Sequence, residues 1–255
     1  RPPPRPTLFP YTTLFRSTPA GAVRARAAVV ASGATGQIEL DRRLLRRARL
    51  GTSLQAEIPF DGTGKLAEAI GCDFGMGAGQ IAWSFPGPRF LSVGVLTFRP
   101  EAHGLMTCLQ RHLARLNLTA EAGQIRGGAL AVWRGQRRFS TRRILLAGDA
   151  AGLVNPLTGA GIRRAILSGR LAAQTIAGNL GTGRDPDHGF DRAMRRSFAR
   201  GFSRASAVAR VFYSAPGLWY RLAVTTRRGT GLMERLLSGR ASYDRVFWEF
   251  LRGGR

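Results

Sequence analysis

The residues with chemistry to offer are concentrated between Arg143 and Ala173. The run Arg143–Ala147 has the character of a buried strand and leads into Gly148-Asp149-Ala150-Ala151-Gly152. A strand ending in Gly-Asp sets a carboxylate at the carboxyl edge of a sheet, where ligands of α/β proteins bind. Gly148 allows close backbone approach there, and the acceptor suits a hydroxyl-bearing ligand such as a ribose or ribityl chain. Asn155-Pro156-Leu157-Thr158-Gly159-Ala160-Gly161 follows, with two glycines just before a predicted helix over Ile162–Leu180. Free N–H groups in such a loop, together with the positive end of the helix, favour an anionic oxygen. Small residues on the helix (Ala165, Gly169, Ala172, Ala173) would let it lie close to a sheet or a bound group. The same string also reads as a glycine-rich strand-to-helix connection with a surface aspartate. Spacing alone does not separate the two.

Several elements must position this segment. Ala22–Val30 is a compact apolar run ending in the glycine-rich turn Ser32–Gly36, which reads as a strand entering a loop. Asp41–Leu50 is helix-like and rich in arginine. Ser53–Phe60 alternates as a strand and ends at the Asp61-Gly62 turn. Gln80–Phe85 and Phe90–Phe98 are β-rich runs around Pro86-Gly87-Pro88-Arg89, which predicts a hairpin. His103–Leu118 is amphipathic at helical spacing, and Leu130–Trp133 reads as a strand. Gly181–His188 is a polar break, and Phe190–Arg255 is helical in pattern. This order predicts an α/β domain interrupted by a β-rich insertion, with a helical tail.

Composition excludes several classes. The chain has 255 residues, 44% of them hydrophobic, which is enough for one large domain or two small ones. Two cysteines, Cys72 and Cys108, cannot staple a secreted scaffold. His103, His112 and His188 are too scattered for a metal site. Cys72 reads either as a redox or substrate contact or as an inert thiol. No run of about 18 uncharged apolar residues exists, so no membrane-spanning helix is expected. The net charge is +24, and Lys65 is the only lysine. That excess suggests an anionic partner: lipid, phosphorylated ligand or nucleic acid. Residues 181–255 carry fifteen arginines against six acids, with aromatics such as Phe198, Phe212, Trp219 and Trp248. Basic helices of this kind lie on anionic membranes or form a solvated face over a packed cap. No nucleic-acid-binding module is recognisable.

Thr7–Ser17, TLFPYTTLFRS, back-translates in register into a common short-read sequencing adapter. Residues 1–17 are therefore expected to be non-native, with the natural chain cut at its N-terminal side. Strands left without their neighbours would then expose apolar edges.

The string from Ile144 to Ala173 resembles the second flavin-binding signature of the geranylgeranyl reductase family, FAD-dependent enzymes of the aromatic-hydroxylase-like flavoprotein superfamily. Two further segments agree in order. Ala28–Ala34 resembles the strand and turn before that family's substrate domain. Gln80–Pro86 and Val93-Gly94-Val95 resemble its Tyr-x-Trp-x-Phe-Pro and Val-Gly-x-Gly strands. The resemblance covers roughly residues 22–180. It implies FAD as cofactor, with Gly148 at the close approach and Asp149 bonded to the ribityl chain. Backbone N–H groups of Gly159, Ala160, Gly161 and Ile162 would face the flavin pyrimidine edge, and Pro156 and Leu157 would lie against the ring. Trp83 and Phe85 would line a tunnel for a polyprenyl chain, or else be ordinary strand aromatics. Three departures stand out: Ser32 replaces an Asp, Ile81 a Tyr and Ala160 a common Glu. No Gly-x-Gly-x-x-Gly fingerprint for the ADP moiety appears near the N-terminus.

The implied fold is α/β (α+β). A partial, Rossmann-like FAD-binding domain (18–36 and 126–180) is interrupted by an antiparallel β-sheet substrate domain (37–125) and followed by a C-terminal helical region (181–255). The implied activity is reduction of prenyl double bonds in a lipid or diphosphate substrate. NAD(P)H or ferredoxin would be the reductant, in the cytoplasm or peripherally at a membrane, with no metal, no nucleic acid and no assigned catalytic acid. The competing readings are a monooxygenase or halogenase of the same superfamily, and a non-enzymatic basic protein binding membrane or nucleic acid.

Overall fold

A computed structural model describes residues 14–18, 21–34, 49–74, 76, 79–99, 103–141, 143–221 and 226–237. The expected helix over Asp41–Leu50 falls outside this set up to Ala48. Its last two residues instead open a strand, because Arg49 and Leu50 continue the ladder that Ser53–Phe60 begins. The tail beyond residue 237 also lies outside the described residues.

The architecture is mixed α/β. Two short strands, β1 (Leu14–Thr18) and β2 (Gly21–Ala25), form an antiparallel hairpin. The segment expected to be foreign, residues 1–17, thus supplies all of β1 but its last residue, Thr18. The run expected as one strand over Ala22–Val30 is broken at Arg26–Ala27, and β3 is Ala28–Val30. β3 pairs in parallel with β10 (Ile144–Leu146), which pairs antiparallel with β9 (Ser140–Thr141). More than a hundred residues separate the parallel pair in sequence, and most of them form a second sheet. That sheet has the order β5 (Gly71–Asp73), β6 (Gln80–Pro86), β7 (Phe90–Thr97), β4 (Arg49–Pro59), β8 (Ile125–Val132). Because β8 pairs with β4 along its whole length, the boundary drawn at residue 126 falls inside this sheet.

Alternation along β7 explains how the large sheet is covered. Leu91, Val93 and Val95 face α1 (Leu105–Arg115), whose Leu105, Leu109 and Leu113 complete one core. Leu96 and Phe98 point the other way, into a core with Phe74, Ile81 and Leu157. Gly94 sits opposite Trp83 in the ladder, and a Cβ there would fall 2.2 Å from the indole. The missing side chain is the space the Trp83 ring occupies.

After β10 the chain forms α2 (Ile162–Asn179), then α3 (Phe190–Met194), a π-helical turn (Arg195–Ala199) and α4 (Arg200–Ser214). Two shorter helices follow, α5 (Pro216–Trp219) and α6 (Arg227–Leu237). Phe190, Met194, Phe198 and Phe202 pack on Leu145, Leu146, Phe139 and Trp133, so the helical region closes the small sheet. Asp191 fastens the two together: its carboxylate accepts the Phe139 N–H at 2.7 Å and the Ser140 hydroxyl at 3.2 Å. Charge-assisted bonds of this kind contribute about 1.5–3 kcal/mol each. Asp191→Ala is expected to lower unfolding stability by about 2 kcal/mol, read as a shift in denaturant midpoint. A change under about 0.5 kcal/mol would mean that water replaces the carboxylate.

Candidate functional site

The site forms where the small sheet meets the large one. β10 ends at Leu146, and Gly148–Ala151 turn as a single 3₁₀ segment. Gly148 has φ +61°, and a Cβ on it would meet the Ala165 methyl at 3.1 Å. Its N–H donates to the Ser168 hydroxyl at 2.9 Å, and that hydroxyl donates to the Ala165 carbonyl. The Gly148 turn and α2 are therefore in direct contact, through Ala165 and Ser168 rather than the whole small face. Ala165 and Ala172 face inward, Gly169 has open space beside it and Ala173 is exposed. Ile162 and Ile166 stand on the outer face, 81% and 67% exposed.

The segment after Asp149 crosses to β8. Val154 bridges Val132 in parallel, through Val154 N–H to Ala131 O and Trp133 N–H to Val154 O, both 3.1 Å. Asp149 lies beneath this crossing. Its carboxylate is half-buried and accepts the Ala131 N–H at 3.5 Å. Burial pushes its pKa up, and the Ala131 N–H opposes that only in part. A desolvated carboxylate with spare acceptor capacity is poised for a hydroxyl donor.

The glycine loop is held by Asn155, which is fully buried. Its side-chain oxygen accepts the N–H groups of Leu157 (2.9 Å) and Thr158 (3.0 Å), and its backbone bonds Gly159 and Ala160. Its side-chain NH₂ has no acceptor among the described residues. Gly159 has φ +70°, and a Cβ there would lie 2.5 Å from Leu96 Cδ2. A Cβ on Gly161 would come to 3.3 Å from the Asp149 carboxylate. Both glycines keep the loop flush against the large sheet and Asp149.

The four N–H groups singled out from the sequence divide into two pairs. Gly159 donates to Asn155 O at 3.0 Å and Ala160 to the Thr158 hydroxyl at 3.4 Å. Gly161 and Ile162 have no acceptor among the described residues and stand at the N-terminus of α2. Leu157 is buried, and its carbonyl accepts the Tyr213 hydroxyl at 2.6 Å. Burial pushes the Tyr213 pKa far up, so the group stays a donor. Pro156 is half-buried and borders a cleft of about 330 Å³ between β8 and α4.

Trp83 and Phe85 stack at 6.1 Å, but they differ in setting. Trp83 is half-buried and donates its indole N–H to Ser92, while Phe85 is 41% exposed near the hairpin end. Neither borders the 330 Å³ cleft. Cys72 is a free, half-buried thiol whose pKa burial pushes up, which favours the inert reading. Among the described residues no His, Cys, Asp and Glu cluster could hold a metal, and no helix is long and apolar enough to cross a membrane.

Sequence reasoning missed Ser168, Asn155 as a loop anchor, and Tyr213. Asn before Pro is a turn signal that was available. Ser168 and Tyr213 act on backbone partners far away in the chain, and no local pattern marks them.

No protein-family model matches the chain. It is similar to a digeranylgeranylglycerophospholipid reductase of Methanothrix thermoacetophila, 27% identical over 143 residues, which are 52% of this chain and 37% of that protein. Its fold is similar to a geranylgeranyl bacteriochlorophyll reductase-like protein from Thermoplasma acidophilum, with TM-score 0.64, 22% identity, and 75% of this chain on 51% of that one. It is also similar to PqsL, a probable FAD-dependent monooxygenase from Pseudomonas aeruginosa, with TM-score 0.53, 18% identity, and 76% of this chain on 57% of that one. The chain thus spans between about a third and just over half of these proteins.

Proposed function

We propose that the chain is part of an FAD-dependent oxidoreductase that reduces prenyl double bonds in a lipid or diphosphate substrate. The observation that carries the reading is the juxtaposition of a half-buried Asp149 carboxylate with two unused N–H groups at the start of α2, beside glycines where a Cβ would be crowded. FAD, when bound, would supply the hydride chemistry. Asp149 would accept a ribityl hydroxyl. The Gly161 and Ile162 N–H groups, with the positive end of α2, would stabilise negative charge on the pyrimidine edge. Pro156 and Leu157, fixed by Asn155 and Tyr213, would set the wall against the ring. These residues fit the cofactor: acceptor, donors and close-approach glycines occur together.

The reductase reading rather than the monooxygenase one is supported by the Trp-x-Phe-Pro strand and by the greater likeness to reductase-like proteins. The whole flavoprotein, reduced anaerobically, is expected to saturate a geranylgeranyl chain, a gain of two mass units per double bond in the product. Hydroxylated product and hydrogen peroxide under NAD(P)H and oxygen, with no saturation anaerobically, would overturn the reductase reading and favour the monooxygenase. Salt-sensitive binding to anionic vesicles or DNA without any retained flavin would favour the basic-protein reading.

A further inference from the structure

The cleft beside Pro156 has a composition that the flavin chemistry does not use. Its floor is buried and apolar, built from Phe98, Val132 and Trp133. Trp133 stacks with the rings of Phe139 (6.1 Å) and Phe202 (5.0 Å), which ties this floor to the core of the small sheet. Its rim carries three exposed arginines, Arg99 after β7, Arg134 after β8 and Arg210 on α4. Among the described residues none of the three has an ion-pair partner, and no Asp or Glu lines the cleft.

Three exposed arginines from segments 35 and 76 residues apart line one cleft, a local excess of positive charge that an anion would neutralise. They offer more donors than a single carboxylate can accept, whereas a phosphate or diphosphate group has the oxygens to take them. Ser206, half-buried on α4 at the same cleft, adds a hydroxyl that lacks a partner among the described residues. An apolar floor under a polycationic rim fits an amphiphile.

We infer that this cleft binds the phosphorylated end of an amphipathic ligand, with Arg99, Arg134 and Arg210 around the phosphate and the apolar portion over Phe98 and Trp133. The inference deepens the reading above, by saying where the charged end of its substrate sits, and it rests on that reading for the ligand's identity.

The test leaves flavin out, so its failure is separable from failure of the oxidoreductase reading. The full chain is titrated calorimetrically with inorganic pyrophosphate at fixed salt. Saturable binding is expected, weakened at least about tenfold by R99Q/R134Q/R210Q. R138Q/R192Q/R196Q removes the same charge from exposed positions outside the cleft and is expected to change affinity less than about twofold. All are exposed side chains, and Arg134→Gln alone gives the same comparison should the triple variant fail to fold. Equal weakening by both triple variants, or no saturable binding, would overturn the assignment. A second arm compares vesicles containing phosphatidic acid with phosphatidylcholine vesicles. Cleft-dependent binding to the former assigns a lipid headgroup as the source. Pyrophosphate binding without it assigns a free phosphorylated ligand.

Discussion

Gly159→Val is expected to destabilise the chain by about 3 kcal/mol, from two independent penalties. The first is conformational. Gly159 has φ +70°, and a side-chain-bearing residue forced into this left-handed region costs roughly 1–2 kcal/mol, more when β-branched. The second is steric. Even the first carbon of the new side chain would stand 2.5 Å from Leu96 Cδ2, and Leu96 is buried in the core under the large sheet. Overpacking of that kind costs about 1–3 kcal/mol. The loop cannot move away freely, because Asn155 holds it by its side chain and by both backbone groups. For a chain of this size the thermal midpoint should fall by roughly 6–12 °C. Gly169→Ala is the contrasting change. It lies within α2 with open space beside it, so helix propensity should make it neutral or stabilising by up to about 1 kcal/mol. A Gly159→Val protein within about 0.5 kcal/mol of the parent would show that the loop does not press on the sheet.

The contrast between these two glycines indicates what the sequence makes visible. Both belong to a glycine- and alanine-rich stretch and look alike in composition. Only the fold shows that one abuts Leu96, sixty-three residues earlier, and that the other faces space. The strand before Gly148, the β6–β7 hairpin and the apolar stripe of α1 are local patterns, and they could be read directly. The parallel pairing of β3 with β10 follows from no local pattern, since the partners flank the whole inserted sheet. The crossing of Val154 onto β8 was invisible for the same reason, although it joins β8 beside Ala131, whose N–H donates to the half-buried Asp149 carboxylate. Trp83 and Phe85 mark the opposite limit. Their spacing puts them on one face of a strand, but whether each position is core or open edge is set by tertiary packing that no local pattern encodes. Trp83 is covered and Phe85 is not.

Asp149→Ala is expected to weaken flavin retention by the whole protein about 10- to 100-fold, the equivalent of one charge-assisted hydrogen bond of about 1.5–3 kcal/mol. The same change separates a binding role from a structural one, because the two predict opposite effects on the flavin-free chain. Burial raises the Asp149 pKa, so the ionised group disfavours folding. That penalty is absent at pH values where both folded and unfolded forms are protonated, and it is complete once the pH exceeds the raised folded value. Removing the carboxylate at neutral pH should therefore leave the flavin-free chain as stable as before or more so, while flavin is lost. A residue placed only for structure would show stability falling together with retention. The pH dependence follows from the same physics. A ribityl hydroxyl donated to the carboxylate favours the ionised form, so flavin should bind tightest above the raised pKa and dissociate as the pH falls through it. Asp149→Asn keeps the shape and an acceptor oxygen but cannot ionise. It should bind flavin more weakly than the parent, with the acid limb of the profile gone. Unchanged flavin occupancy in Asp149→Ala, or an acid limb persisting in Asp149→Asn, would remove this carboxylate from the binding site and the main support for the flavin reading with it.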